Sequence, residues 1–149
     1  GCAFSNTVVE NRFAVRMGPG AEFFTEWRDY PAAGGNDYRI GPCLIFRNGT
    51  ITARTRLTRA DGTVGGGEVK VAELPAETWA QIAVTATLGG GDAGRWSVTV
   101  SRAGQPPVTV ADLRMASAGF EAMEWLGFCS TATRAAAYCL DDFFFGEKK

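Results

Sequence analysis

Period-two alternation, interrupted at near-regular intervals by glycine, is the feature that most limits what this chain can become. Glycines gather at Gly18 and Gly20, Gly34-Gly35, Gly65 to Gly67 and Gly89 to Gly91, and they read as turns. Between them lie short runs rich in Val, Thr, Phe, Trp and Ile. In these runs apolar residues recur at every second position, as in the half-buried strands of a sandwich or barrel. Ten strands are expected, at residues 11–17, 23–30, 37–47, 50–59, 68–73, 79–88, 95–102, 108–113, 125–129 and 137–146. Helical periodicity is nearly absent. Leu74-Pro75-Ala76-Glu77 reads as a short connector, because proline cannot donate to a ladder and pushes its predecessor out of the α region.

The Asn48-Gly49 pair is the sharpest local signal. A type I′ hairpin turn needs positive φ at both central residues, and Asn-Gly adopts it cheaply. The turn sets a register: Arg47 opposite Thr50, Phe46 opposite Ile51, Ile45 opposite Thr52, Leu44 opposite Ala53, Cys43 opposite Arg54. One face then carries Leu44, Phe46, Ile51, Ala53 and Leu57 and should meet the core. The other carries Cys43, Ile45, Arg47, Thr50, Thr52, Arg54 and Arg56 and should meet water or a ligand. Ile82, Val84, Ala86 and Leu88, and likewise Trp96, Val98 and Val100, alternate with polar residues as antiparallel strands wet on one face do.

A chain of 149 residues can bury about two-thirds of its unfolded surface in one core. No shift in composition marks a boundary, so residues 1–149 are expected to form a single domain. The start at Gly1-Cys2, just before the first convincing strand, fits a domain excised from a larger protein. No apolar run approaches the ~20 residues of a spanning helix, so membrane insertion is not expected. Fifteen basic against 16 acidic residues give a net charge of −1, without the footprint of a nucleic-acid binder. The charge is uneven: residues 1–60 hold eight Arg against five acids, and residues 61–149 hold seven bases against eleven acids. There is no histidine, which removes the usual general base and zinc ligand.

Four segments in order resemble the concanavalin A-like jelly-roll superfamily, particularly bacterial laminin-G-like and carbohydrate-binding domains. They are FFTEWRD at Phe23–Asp29, LIFRNGTITAR at 44–54, WAQIAVTATLGGGDAGRWSVTV at 79–100, and YCLDDFFFGE at Tyr138–Glu147. The resemblance implies an all-β, antiparallel jelly-roll β-sandwich of two stacked sheets. It also implies a curved face that often holds a glycan, and an extracytoplasmic setting: secreted, periplasmic or cell-surface. The paired-carboxylate E-x-D-x-E strand of related glycoside hydrolases is absent, as is the Gln-x-His pattern of jelly-roll alginate lyases.

Arg28, Arg39, Arg47, Arg54 and Arg56 fall on neighbouring strands, at least three of them on one polar face. Guanidinium forks bind carboxylate and sulfate bidentately, so this face suits an acidic polysaccharide. A solvated face interleaved with Glu26 and Asp29 is the plainer alternative. Trp27, Tyr30 and Tyr38 lie beside these arginines and could stack on sugar rings. Which of Phe23/Thr25/Trp27/Asp29 or Phe24/Glu26/Arg28/Tyr30 faces inward is open at this stage. Trp79, Trp96 and Trp125 sit among apolar strand residues and read as core.

The resemblance further implies a structural Ca2+ near the closing strand, with Asp141 and Asp142 as its candidate ligands. Calcium takes six to eight oxygens, far more than two adjacent carboxylates provide, and an Asp bonding backbone at a sheet edge is the alternative. Cys2, Cys43, Cys129 and Cys139 allow three pairings. In an oxidising compartment Cys129 and Cys139 are favoured, as neighbours across the connection from Ser130 to Tyr138, leaving Cys2 with Cys43. Free buried thiols are the equal alternative.

Three functions are compatible with these features. The leading one is a non-catalytic carbohydrate-binding module for a polysaccharide, with a preference for anionic ones, uronic or sulfated. The second is a laminin-G-like structural or protein-interaction domain. The third is a small polysaccharide lyase or hydrolase, with Tyr30 or Tyr38 as base and Arg28 or Arg39 neutralising a uronate, or with the carboxylate pairs Glu26/Asp29 or Glu121/Glu124.

Overall fold

The computed structural model describes residues 3–31 and 36–149. It is an antiparallel jelly-roll sandwich of two five-stranded sheets. In chain order the strands are β1 Val8–Met17, β2 Phe23–Asp29, β3 Arg39–Arg47, β4 Thr50–Thr58, β5 Val64–Glu73, β6 Trp79–Thr87, β7 Arg95–Arg102, β8 Val108–Arg114, β9 Trp125–Ser130 and β10 Tyr138–Glu147. The first sheet runs β10-β1-β6-β7-β8 and the second β5-β4-β3-β2-β9. Among the described residues the one helical feature is a single 3-10 turn, Gly91–Ala93.

The Asn48-Gly49 hairpin has positive φ at both residues, 51° and 69°, and joins β3 to β4 in the register its turn type requires. Leu44, Phe46, Ile51 and Ala53 face the core, at most 1 % exposed. Leu57 does not join them: it is 39 % exposed, because it lies at the end of β4 where the sandwich no longer covers it. Gly65 to Gly67, which read as a turn, lie inside β5 opposite Leu57, Arg56 and Thr55. The reversal falls earlier, where the Asp61 carboxylate accepts both the backbone N–H and the hydroxyl of Thr63.

Phe13, Val15, Ile82, Val84, Trp96 and Val98 of the first sheet meet Phe23, Trp27, Leu44, Phe46 and Ile51 of the second. Phe23 is the centre of an aromatic stack, with ring centroids 4.4 Å from Phe46 and 4.1 Å from Tyr138. Phe13 meets Phe128 edge-on at 5.1 Å. Each such buried ring contributes about 1.5–3 kcal/mol from area alone, with aromatic pairing adding to it.

These contacts decide the alternation in β2: Phe23, Thr25, Trp27 and Asp29 point inward. Trp27, 2 % exposed and edge-on to Phe145, is therefore core and not a sugar platform. Against β3 the register slips between Glu26 and Arg28, so Trp27 faces a bulge at Gly41-Pro42. Pro42 has no N–H for the ladder, and a bulge is where a strand tolerates that. The extra residue inverts the alternation beyond it. Arg39 consequently leaves the polar face and pairs with buried Asp29 at 3.0 Å. Asp29 also accepts the N–H of Glu121 at 2.9 Å, so Arg39 and Asp29 together fasten the segment between β8 and β9 over one end of the sandwich.

Candidate functional site

The outer face of the second sheet holds most of the predicted binding residues. One rung across it reads Gly127, Glu26, Cys43, Arg54, Glu68, and the next reads Cys129, Phe24, Ile45, Thr52, Lys70. Cys43 and Ile45 are only 1 % and 8 % exposed although they face away from the core. Burial, with the nearby Glu26 charge, pushes the Cys43 thiol up to about 12, and Arg54 only partly offsets this.

At the β2/β9 end of this face, Arg28 is held on every side. Its Nε and Nη2 both lie 2.7 Å from Oε1 of Glu26, which is 3 % exposed. Its guanidinium carbon sits 4.0 Å from the centre of the Tyr38 ring and 4.2 Å from that of Trp125. Such cation–π contacts contribute about 0.5–2 kcal/mol each, more as water is excluded. Burial works against the Arg28 charge, but hydrogen bonding to Tyr30 and to Glu26 more than compensates, so its pKa lies above the ordinary value. Tyr30 adds its ring 5.9 Å from Tyr38, and its backbone N–H is anchored on Glu124. The indole of Trp125 lies across Gly127, where no side chain intervenes.

No protein-family model matches this sequence, and no curated protein matches it. Its fold is similar to solved structures. An endo-β-1,4-glucuronan lyase from the fungus Trichoderma reesei aligns over 99 % of this chain and 71 % of its own, with a TM-score of 0.58 and 13 % identity. A marine alginate lyase from Aplysia kurodai aligns over 97 % of this chain and 71 % of its own, with a TM-score of 0.58 and 11 % identity. At such identities the likeness establishes the jelly-roll sandwich and nothing finer.

The other arginines differ in how free they are. Arg54 is exposed and makes no ion pair among the described residues, whereas exposed Arg47 pairs with Glu68 at 3.3 Å. Surface pairs of that kind hold their partners weakly. Arg56 is withdrawn: its side chain is 14 % exposed, its Nε donates to the Met115 carbonyl, and its Nη2 meets Asp92 at 3.2 Å. The reason is that the end of β4 lies against the chain leaving β8. Of the eight sequence candidates, then, Arg28, Tyr30 and Tyr38 are brought together, Arg47 and Arg54 share their face, and Trp27, Arg39 and Arg56 are drawn elsewhere.

Trp125, which its apolar strand neighbours place in the core, stands instead on the outer face, part-exposed. The signal for it was Gly127, two residues on and so on the same face, as a flat seat for the indole. Trp79 also leaves the core, 45 % exposed beside Arg16. The carboxylate pairs do not assemble: Glu26 faces outward and Asp29 inward, while Glu124 is engaged with the Tyr30 N–H.

Cys129 and Cys139 are free thiols, not a disulfide. Their strands belong to different sheets, β9 beside β2 and β10 beside β1, so the connection between them crosses the sandwich rather than forming a hairpin. Cys43 is a buried free thiol, and Cys2 lies outside the described residues. Asp141 and Asp142 sit at a bulge in β10, where Asp142 has φ +50° and donates its N–H to the Asp141 carboxylate. Among the described residues no three Asp, Glu, Cys or His side chains converge as metal ligands.

Proposed function

We propose that this is a non-catalytic carbohydrate-binding domain that takes an anionic polysaccharide on the outer face of the second sheet, in an extracytoplasmic setting. The observation that carries this reading is the Tyr38–Arg28–Trp125 stack, braced by buried Glu26, on the same face as Arg54, which has no ion pair among the described residues. Rings held in place present their faces to sugar C–H surfaces at little entropic cost. Arg28 spends both its faces and its Nε edge on protein groups, so its role is to position the rings. Arg54 and the weakly held Arg47 are the acid-binding groups. Glucuronan and alginate, the polymers in the names of the two structural neighbours, are uronic-acid chains, which supports the same ligand class.

The test is binding of the chain to polyuronate and neutral polysaccharides at low and moderate salt. Affinity for the acidic polymers should fall as salt rises. Trp125→Ala should abolish binding, and Arg54→Ala should weaken it and flatten its salt dependence. Equal binding of neutral glycans by wild type and Arg54→Ala would overturn the anionic assignment. Silence across all glycans would favour a protein-interaction domain instead.

One observation supports a lyase as second reading: Tyr30 and Tyr38 stand together beside Arg28, a phenol next to a cation that could neutralise a uronate. New unsaturated-uronate absorbance on incubation with a polyuronate, lost in Tyr30→Phe or Tyr38→Phe, would establish it.

A further inference from the structure

A second cluster of arginines gathers where the end of β4 meets β8, at the seam between the two sheets. Thr55 donates its hydroxyl to the Arg114 carbonyl at 2.8 Å, and the Trp96 indole N–H donates to the same oxygen at 2.9 Å. The Thr55 bond, with that from Arg56 to Met115, ties the two sheets together here, and a cleft of about 190 Å3 remains beside them. Arg56, Arg95 and Arg114 all line it, with Asp112 as its carboxylate.

Arg56 pairs with Asp92 at 3.2 Å and Arg95 with Asp112, so the cleft keeps an excess of positive charge centred on Arg114. Arg114 donates Nη1 to the Thr58 hydroxyl and has no acidic partner among the described residues. Arg95 donates Nη1 to the carbonyls of Asp92 and Gly94 and sets its Nε 3.3 Å from Asp112, whose side chain is 86 % exposed. A guanidinium carries five N–H donors, so each of the three keeps donors unspent. Like charges brought this close repel, and an oxyanion among them both relieves the repulsion and accepts the spare donors.

On the far side of the Arg95–Asp112 pair lies a second, shallower cleft of about 230 Å3 that the same two residues help to line. Its other walls include Thr85, Thr87 and Ser97, a row of small hydroxyls on the outer face of the first sheet. Oxyanion donors and hydroxyls side by side suit a sugar that bears an acidic group.

We propose that this seam is a binding site for an acidic sugar unit. The carboxylate or sulfate lies among Arg56, Arg95 and Arg114, and the ring hydroxyls lie toward Thr85, Thr87 and Ser97. The site is separate from the outer face of the second sheet: Arg95 and Arg114 take no part in that face, so either assignment can fail alone.

The test is a heteronuclear NMR titration of the full chain with glucuronate, glucose 6-sulfate, inorganic sulfate and glucose, following the arginine Nε–H signals. Glucuronate and glucose 6-sulfate should shift Arg95 and Arg114 saturably, and glucose at equal concentration should not. Arg114→Gln and Arg95→Gln should each weaken both acidic sugars about tenfold, the scale of one charged hydrogen bond. Asp112→Asn, which removes the cleft's carboxylate, should tighten them, an effect that no purely structural role for the arginines produces. Arg134→Gln, which removes a charge elsewhere, should leave binding unchanged. Inorganic sulfate binding as tightly as glucose 6-sulfate would overturn the sugar assignment. The absence of saturable shifts, or equal shifts in Arg114→Gln, would overturn the site.

Discussion

The indole of Trp125 lies so close over Gly127 that a Cβ on Gly127 would stand 2.0 Å from the ring. Trp125 in turn is one of the two walls that hold Arg28. Gly127→Ala should therefore lift the indole off its seat, at a cost of about 1–3 kcal/mol in overpacking. Loss of polysaccharide binding together with a shifted tryptophan emission, in a protein that still unfolds cooperatively, is the expected result. Unchanged emission would show that the seat is not used in solution.

Glu26 is nearly fully buried on a face that otherwise meets water, and its carboxylate carries two of the Arg28 contacts. Glu26→Gln leaves a part-buried guanidinium without a counter-charge. Urea unfolding should show a loss of about 1–3 kcal/mol, and glycan affinity should fall with it because the rings lose their brace.

The Cys43 thiol, raised from 9.0 to about 12 chiefly by burial, stays protonated in the folded chain well into the alkaline range. The unfolded thiol ionises first. Its contribution to stability is thus complete below pH 9 and is lost between pH 9 and 12, by ~1.4 kcal/mol per pH unit at the steepest. Cys43→Ala should remove that slope from the alkaline unfolding profile. In the native protein at pH 8, iodoacetamide should label exposed Cys139 and leave Cys43 untouched, as peptide mapping by mass spectrometry will show.

Asp142 holds φ +50° at the bulge in β10, a conformation in which a Cβ is disfavoured. Asp142→Gly should be neutral or stabilising by up to ~1 kcal/mol in thermal unfolding. A chelator should leave the melting temperatures of wild type and variant unchanged if the bulge is purely a backbone device. A calcium-dependent rise in melting temperature confined to the wild type would instead assign the metal to Asp141-Asp142.

Much of this architecture is written locally. The Asn48-Gly49 turn, the alternation of Ile82, Val84 and Ala86, and that of Trp96, Val98 and Val100 specify strands, hairpin register and an antiparallel all-β sandwich. Each depends on residues a few positions apart, so pattern and turn chemistry are enough.

The site is written at longer range. Alternation divides β2 into two faces but does not say which is buried, and only the stacking of Phe23 between Phe46 and Tyr138, 23 and 115 positions away in sequence, turned Trp27 inward and Arg28 outward. A bulge at Pro42 then inverted the parity and took Arg39 to the core side, and the chain after β8 drew Arg56 toward Met115. Cys129 and Cys139 parted because β9 and β10 joined different sheets. Local pattern is enough to say what forms strands and which residues share a face. Which face meets water depends instead on which strands pair and which sheet covers them, a matter of long-range packing that no local pattern encodes.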